Sequence, residues 1–549
     1  MEDLTTTQET SRPTAHPRSS SDVNRSDSRL ESFLRAHTRL IVVVLSVFAA
    51  ARILFFAAAF PIFNNNDERF HLMTIQMYAH GHFPGKELPQ SDPEFSKSLI
   101  LYFSPEYLVS QEELDRNDIR GPLTWLPPQM RDAAVARGFY LRTLERWSRA
   151  PNFEAQSPPL YYLVAAAWYN LGTAFGLRDW GLSYWTRFLN PIAYALLVCI
   201  SYLFVRRVYP EHIFLRIAVP ALIAVFPQDV FFGVNRDVIS PVVCATALLL
   251  MVEAIANETA QKRLLLAASF LVGLAFLVEV SNCVFYGSLA ATLWTWARGS
   301  QLRRRQKVWV VGASSAAALF APLLWMGRNY VAIGDLTGSS AKMRYFGWTV
   351  KPIAEVFHHP LFSLHGLFSF LTRLIRTFWH GEYQWHGVPL RSPGADWLYV
   401  ISSVVLLGLF AIDLVRRQRA TSPVQRMAGL NALFLLVSSV LFLAAISLPF
   451  DFHDTPYPSR LYPFFASGRI ISGVLLPFAL IYVGGLELVG RVFGRRIPQV
   501  AMLGCLLLFI TISEINVRKI AFSSQYNFFA LLSAKKNQLP TAAMRFPHD

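Results

Sequence analysis

The chain has 549 residues, 53% of them hydrophobic and 16% charged, with a formal net charge of +15. The apolar residues fall in blocks of about 16–24, each long enough to cross a hydrocarbon core at about 1.5 Å per residue, which excludes an ordinary soluble domain. Arg and Lys cluster in short loops between the blocks, as the positive-inside rule requires, so the charge is no sign of a nucleic-acid surface.

Residues 1–37 are rich in Ser, Thr, Arg and Asp and are expected to form a disordered cytoplasmic tail. Leu40–Phe60 is the first span, with Arg52 inside it, a costly placement unless it faces other helices. Residues 62–157 form a long hydrophilic first external loop, with juxtamembrane helix-forming stretches at Asp67–Tyr78, Gln111–Asn117 and Gln129–Ala150. An apolar run to Phe175 then opens at Pro158-Pro159-Leu160-Tyr161-Tyr162, and prolines suit a helix start.

If the clusters Arg206-Arg207, Lys262-Arg263, Arg303–Lys307, Arg416–Arg419 and Arg491–Arg496 are cytoplasmic, the remaining spans run near 185–205, 213–231, 237–257, 264–279, 282–297, 308–326, 397–414, 429–448, 470–488 and 498–513. That makes eleven, with 160–175 lying on or dipping into the outer face; a crossing there would make twelve. The expected fold is an all-α polytopic membrane protein, since helices are the only spanning form such runs allow. Its transmembrane domain covers 38–514, with further external loops at 327–396 and 449–468 and a C-terminal tail at 515–549. The four cysteines, Cys199, Cys244, Cys283 and Cys505, show no CxxC spacing, so neither a disulfide framework nor a zinc site is expected.

The stretch Phe63-Asn64-Asn65-Asn66-Asp67-Glu68-Arg69-Phe70-His71 places two carboxylates and an imidazole where hydrocarbon gives way to water. On a helix from Asp67, His71 shares a face with both acids. Two readings stand. Asn66 or Asp67 caps a helix whose positive end the acids complement, or the acids form a reactive site.

These features resemble the GT-C superfamily of membrane glycosyltransferases, which use polyprenyl-phosphate-linked sugars. The likeness is to protein O-mannosyltransferases, lipid A aminoarabinose transferases and an uncharacterised bacterial branch. It rests on Asp67-Glu68 with His71 after the first span, and on Ser157-Pro158-Pro159-Leu160, with Ser157 where the family has His. Further support comes from Arg187-Phe188-Leu189-Asn190, Asn235-Arg236-Asp237, Arg328-Asn329-Tyr330 with Gly334-Asp335, and Gly468-Arg469. One departure is Glu279, where relatives often carry Lys.

The resemblance implies sugar transfer from a polyprenyl-phosphate donor to the hydroxyl or amine of a lipid, glycan or protein acceptor. Inversion is implied too, at the external face of a multi-pass, bacterial inner-membrane protein. A carboxylate must take the acceptor proton, and Asp67 and Glu68 are the catalytic candidates. The departing phosphate needs cations, and Arg328, Arg469, Arg460 and Arg187 offer guanidinium forks. His71, Tyr161 and Asp237 are candidate substrate contacts, and Trp379, Tyr383 and Trp385 candidate sugar-stacking rings, against the alternative of an interfacial aromatic belt. The resemblance fixes no cofactor; a divalent metal, with Asp67, Glu68 and His71 as candidate ligands, stays open. The rival readings are a transporter or flippase of lipid-linked sugars and a non-catalytic scaffold of an envelope glycan complex.

Overall fold

The computed structural model describes residues 20–110, 112, 139–257, 260–416, 422–453, 455, 457–492 and 496–538. The fold is helical almost throughout; the strands among the described residues are four two-residue segments. Eight helical stretches there are long and apolar enough to cross a membrane: Glu31–Ala59, Asp179–Val208 (helices Asp179–Arg187 and Leu189–Val208 in succession), Arg236–Ala256, Arg304–Ile333, Pro393–Arg416, Pro423–Ser447, Gly468–Arg491 and Ile497–Ala534 (helix Arg496–Arg518 running on into Phe528–Gln538). The three other expected spans fold as the shorter helices Ile213–Ala224, Gln261–Phe276 and Val284–Gly299.

Ile213–Ala224 stops well short of residue 231 for a local reason. Pro227 disfavours helical backbone before it, and the carbonyls freed there are taken by two arginines. Arg52 donates to Ala224 O at 3.1 Å and Phe226 O at 2.7 Å, and Arg518 donates to Pro227 O. Arg52 is therefore buried inside the bundle, and Glu514 answers its charge at 2.7 and 2.8 Å.

Successive helices alternate in direction, so the basic loops gather at one end of the bundle. Contacts there include Arg207 with Glu253 (3.2 Å), Arg491 with Glu487 (3.2 Å) and Lys307 with the Ala297 carbonyl (2.7 Å). The opposite end carries the acidic stretch after Phe60 and the long connecting segments. Helix Leu160–Ala174 begins at that end, where its first N–H donates to Leu277 O at 3.0 Å. The next helix, Asp179–Arg187, finishes there too, with Tyr184 donating to Phe60 O at 3.1 Å. Nine residues rise only about 14 Å, too little to recross a bilayer, so 160–174 starts and ends on one side.

One expectation needs correction. The first helix begins at Ser20, inside the stretch expected to be disordered, and Glu31–Arg35 at 2.9 Å supports its extra turns. The C-terminal tail is folded up to Gln538: helix Phe528–Gln538 follows Tyr526, whose carbonyl accepts from Tyr184 at 3.3 Å. Of the expected loop helices, Glu68–Ala79 and Phe139–Ser148 form. Gln111–Asn117, apart from Glu112, and residues 129–138 lie outside the described residues.

Candidate active site

The chain turns sharply out of the first span. Phe63 and Asp67 both adopt left-handed backbone, φ 65° and 62°, a conformation uncommon outside glycine, though Asp tolerates it better than most. Three asparagines knit this turn to its surroundings. Asn64 donates to Glu68 Oε2 at 2.9 Å and Tyr383 OH at 2.7 Å, Asn65 to Glu382 O at 3.1 Å, and Asn66 to Asp229 Oδ1 at 3.5 Å. Asp67 occupies the N-cap position of helix Glu68–Ala79 without any side-chain capping bond. The capping role is thus unfilled, and the carboxylate points elsewhere.

The two adjacent acids have opposite surroundings. Glu68 is fully buried and accepts five hydrogen bonds: Arg187 Nε (2.6 Å) and Val234 N (2.8 Å) on one oxygen, Arg187 Nη2 (2.5 Å), Asn64 N (3.0 Å) and Asn64 Nδ2 (2.9 Å) on the other. A carboxylate offers about four lone-pair sites, so Glu68 has none left for a proton or a metal. Arg187 is equally committed, its remaining donors going to Ala57 O (2.9 Å), Phe60 O (2.5 Å) and Pro61 O (2.7 Å). With every N–H in use, it has no fork for a phosphate, contrary to the expectation from sequence.

Asp67 is different: its side chain keeps about a third of its surface exposed, and Oδ2 lies 3.3 Å from Arg469 Nη2. Arg469 is the centre of the site. Its Nη1 faces Asp237 Oδ2 at 3.3 Å and its Nε faces Glu382 Oε2 at 3.5 Å, so one guanidinium is shared by three carboxylates from three distant segments. These distances exceed the 2.7–2.9 Å of a tight charge-assisted bond, so the three pairs are looser than that of Glu68 with Arg187. Asp237 Oδ1 is buried without a partner.

A second charged group lies alongside. Glu154 pairs with Arg236 at 2.8 Å and Lys342 at 2.5 Å, and accepts from Ser157 at 2.7 Å. Burial pushes its carboxyl up, but Arg236 and Lys342 outweigh that and hold it well below the usual carboxylate range. Arg236 also pairs with Glu279, so the departure at 279 is a compensated charge. His71 is buried, its Nδ1 2.8 Å from Tyr162 OH and its Nε2 without a partner. Burial, with Arg236, Arg469 and Lys342 nearby, pushes its pKa down to about 3 against the pull of Glu154, and the ring stays neutral. Tyr161 OH is another buried atom lacking a hydrogen-bond partner.

The remaining candidates are dispersed. Arg328 donates to Pro84 O and to Asn329 at 3.2 Å, away from Arg469. Arg460 is largely exposed and faces Asp451 at 3.7 Å and His453 at 3.2 Å. The three aromatic candidates are core residues, which corrects their assignment as stacking rings. Trp379 is buried, stacks on Tyr399 at 4.5 Å and donates to Ser403 at 2.9 Å. Tyr383 and Trp385 pack edge-on against Phe60. Asp67, Glu68 and His71 diverge onto Arg469, Arg187 and Tyr162, and among the described residues no three His, Cys, Asp or Glu converge on a metal position. Sequence reasoning missed Glu382, Glu154 and Lys342. Only Glu382 had a signal beside it, the candidate rings Trp379, Tyr383 and Trp385.

Fold and site define an all-helical, multi-pass membrane protein with an arginine-centred carboxylate cluster at one end of its bundle. The chain belongs to the family described as "Predicted membrane protein (DUF2142)", matched over residues 51–452. No curated protein matches it. Among solved structures, it is similar to the Archaeoglobus fulgidus oligosaccharyltransferase complex with Zn and sulfate, at 13% identity, TM-score 0.41, with 88% of this chain and 53% of that one covered. It is also similar to the oligosaccharyltransferase AglB of the same organism in complex with an inhibitory peptide and a dolichol-phosphate, at 11% identity, TM-score 0.47, with 89% and 56% covered. The chain thus spans little more than half the length of these structures.

Proposed function

We propose that the protein is a membrane glycosyltransferase that moves a sugar from a polyprenyl-phosphate donor to an acceptor hydroxyl or amine, at the external face of a bacterial inner membrane. The observation that carries the reading is the loose contact between Arg469 and the exposed Asp67 carboxylate, beside Asp237. Asp67 accepts the proton as the acceptor oxygen or nitrogen bonds to the anomeric carbon, and the bond from that carbon to the phosphate oxygen breaks. Arg469 exchanges Asp67 for the departing phosphate and neutralises it. The unpartnered atoms of Asp237, Tyr161 and His71 are suited to sugar hydroxyls, since each lacks a hydrogen bond it should otherwise have.

Glu68 and Arg187 position the turn rather than react. The order of motifs along the chain supports the same reading. A flippase would need charges along a path through mid-membrane, whereas the loosely paired ones here sit at one end of the bundle. The test is transfer of radiolabelled sugar from a polyprenyl-phosphate donor by the purified chain in proteoliposomes. Transfer by the native chain but not by Asp67→Asn supports the proposal; equal transfer by both overturns the role of Asp67. Movement of the donor across the vesicle without transfer would favour the flippase.

A further inference from the structure

Helix Leu364–His380 lies outside the spanning helices yet is apolar on two faces. One face, with Phe370, Leu374 and Phe378, is buried in the core. The other is open: Leu364 is 88% and Phe368 59% exposed. The approach to the helix extends the same patch through Ile353, Phe357 and Phe362, 81%, 70% and 61% exposed. Gly366 makes this approach possible, because a Cβ there would strike the Pro360 carbonyl.

The depth of the helix is fixed at its other end. Arg376 stacks on Trp397 at 4.5 Å, and Trp397 stands near the start of the span Pro393–Arg416. Thr377 Oγ1 donates to Ala466 O at 2.7 Å and accepts from Gly468 N at 2.9 Å, where the span Gly468–Arg491 begins. The helix is therefore level with the ends of two spans. Arg373 stacks on Tyr457 at 4.5 Å, and neither Arg373 nor Arg376 pairs with a carboxylate among the described residues. An apolar stripe, an interfacial Trp at its level and cations on aromatic rings form the pattern of a helix lying in the headgroup region.

We infer that segment 353–380 lies in the plane of the membrane on the site side, its open face in the acyl chains and Arg373 and Arg376 on the phosphates of anionic lipids. The occupant is a bilayer lipid because the patch continues the lipid-facing surface of the spans and is flanked by unpaired cations. Since Thr377 also braces Gly468, a lipid phosphate seated along the helix is a neighbour of Arg469. That last consequence rests on the proposed function; the placement does not.

The test uses the full chain with its native cysteines replaced by serine, carrying Leu364→Cys or Phe368→Cys labelled with NBD, alone in phosphatidylcholine vesicles. Blue-shifted emission, quenched by lipids spin-labelled near the headgroup, is expected at both positions. Emission as in water at both overturns the placement and leaves the patch to a protein partner. With the placement established, spin-labelled phosphatidic acid should quench at least about twofold more than spin-labelled phosphatidylcholine at equal mole fraction, and the excess should vanish in Arg373→Gln/Arg376→Gln. Equal quenching in the parent overturns the preference for anionic lipid.

Discussion

The carboxylate of Glu68 and the guanidinium of Arg187 meet at two points, 2.5 and 2.6 Å, with neither side chain reaching solvent. Its neighbour Asp67 stays partly open, so two adjacent acids should fail in different ways. Glu68→Ala leaves a buried guanidinium unpaired and should cost about 3–5 kcal/mol of stability. Asp67→Asn should melt like the parent. Thermal unfolding of both variants in one detergent checks this.

Sugar transfer should divide the arginines. Arg469→Gln should lower transfer about 10²–10³-fold, the scale of losing one charge-stabilising donor. Arg460→Gln, at an exposed position facing only Asp451 and His453, should leave transfer unchanged. Rates at saturating donor separate the two.

Acid should weaken the fold through His71. Its folded pKa, pushed down to about 3 by burial, lies below the ordinary 6.5, so between these values the unfolded chain binds more protons. Stability is full above about pH 6.5 and falls toward pH 3, by at most about 1.4 kcal/mol per pH unit from this group. Glu154, held low by Arg236 and Lys342, adds a loss of the same sign below about pH 4.3. His71→Phe should flatten the unfolding midpoint between pH 6.5 and 4.5 and leave the steeper fall below it.

The charge at 279 should be read with Arg236. Glu279→Lys, the residue common in the resembling family, brings two cations together and should destabilise. Adding Arg236→Met, which removes the guanidinium facing the introduced ammonium, should recover part of the loss, with a coupling of at least about 1 kcal/mol. A double-mutant cycle by thermal unfolding measures it.

A cysteine at the exposed Asp179, in a chain otherwise without cysteine, should react with a membrane-impermeant maleimide from the side on which Asp67 lies. Labelling from the opposite side would mean that 160–174 crosses.

Much of the membrane architecture is legible from hydropathy and the placement of Arg and Lys, because both follow from the energetics of single segments. The placement of 160–175 on the outer face rests on the basic loops alone, and the helix Leu160–Ala174 found there is shorter than the eight long stretches. What the sequence conceals is pairing across long separations. Nothing in the pattern around Arg187 distinguishes a phosphate ligand from the partner of Glu68, and nothing around Trp379 distinguishes an exposed ring from one stacked on Tyr399. The meeting of Asp67, Asp237 and Glu382 on Arg469 depends on how helices pack, which no local signal reports. The helix over residues 20–37 was hidden for another reason: composition argued for disorder, while its i, i+4 pairing supports helix.

Arg52 and Glu514 are 462 residues apart and complete each other inside the bundle. At about 5–20 residues per second, synthesis leaves roughly half a minute to a minute and a half between the two. Through that interval the first helix holds a guanidinium in the bilayer with no counter-ion; the carbonyls of Ala224 and Phe226 can take two of its N–H groups once they are made, but its charge stays unanswered. The helix Arg496–Arg518, which carries Glu514, thus works as a keystone, and a nascent chain that stalls before it presents quality control with an unanswered charge.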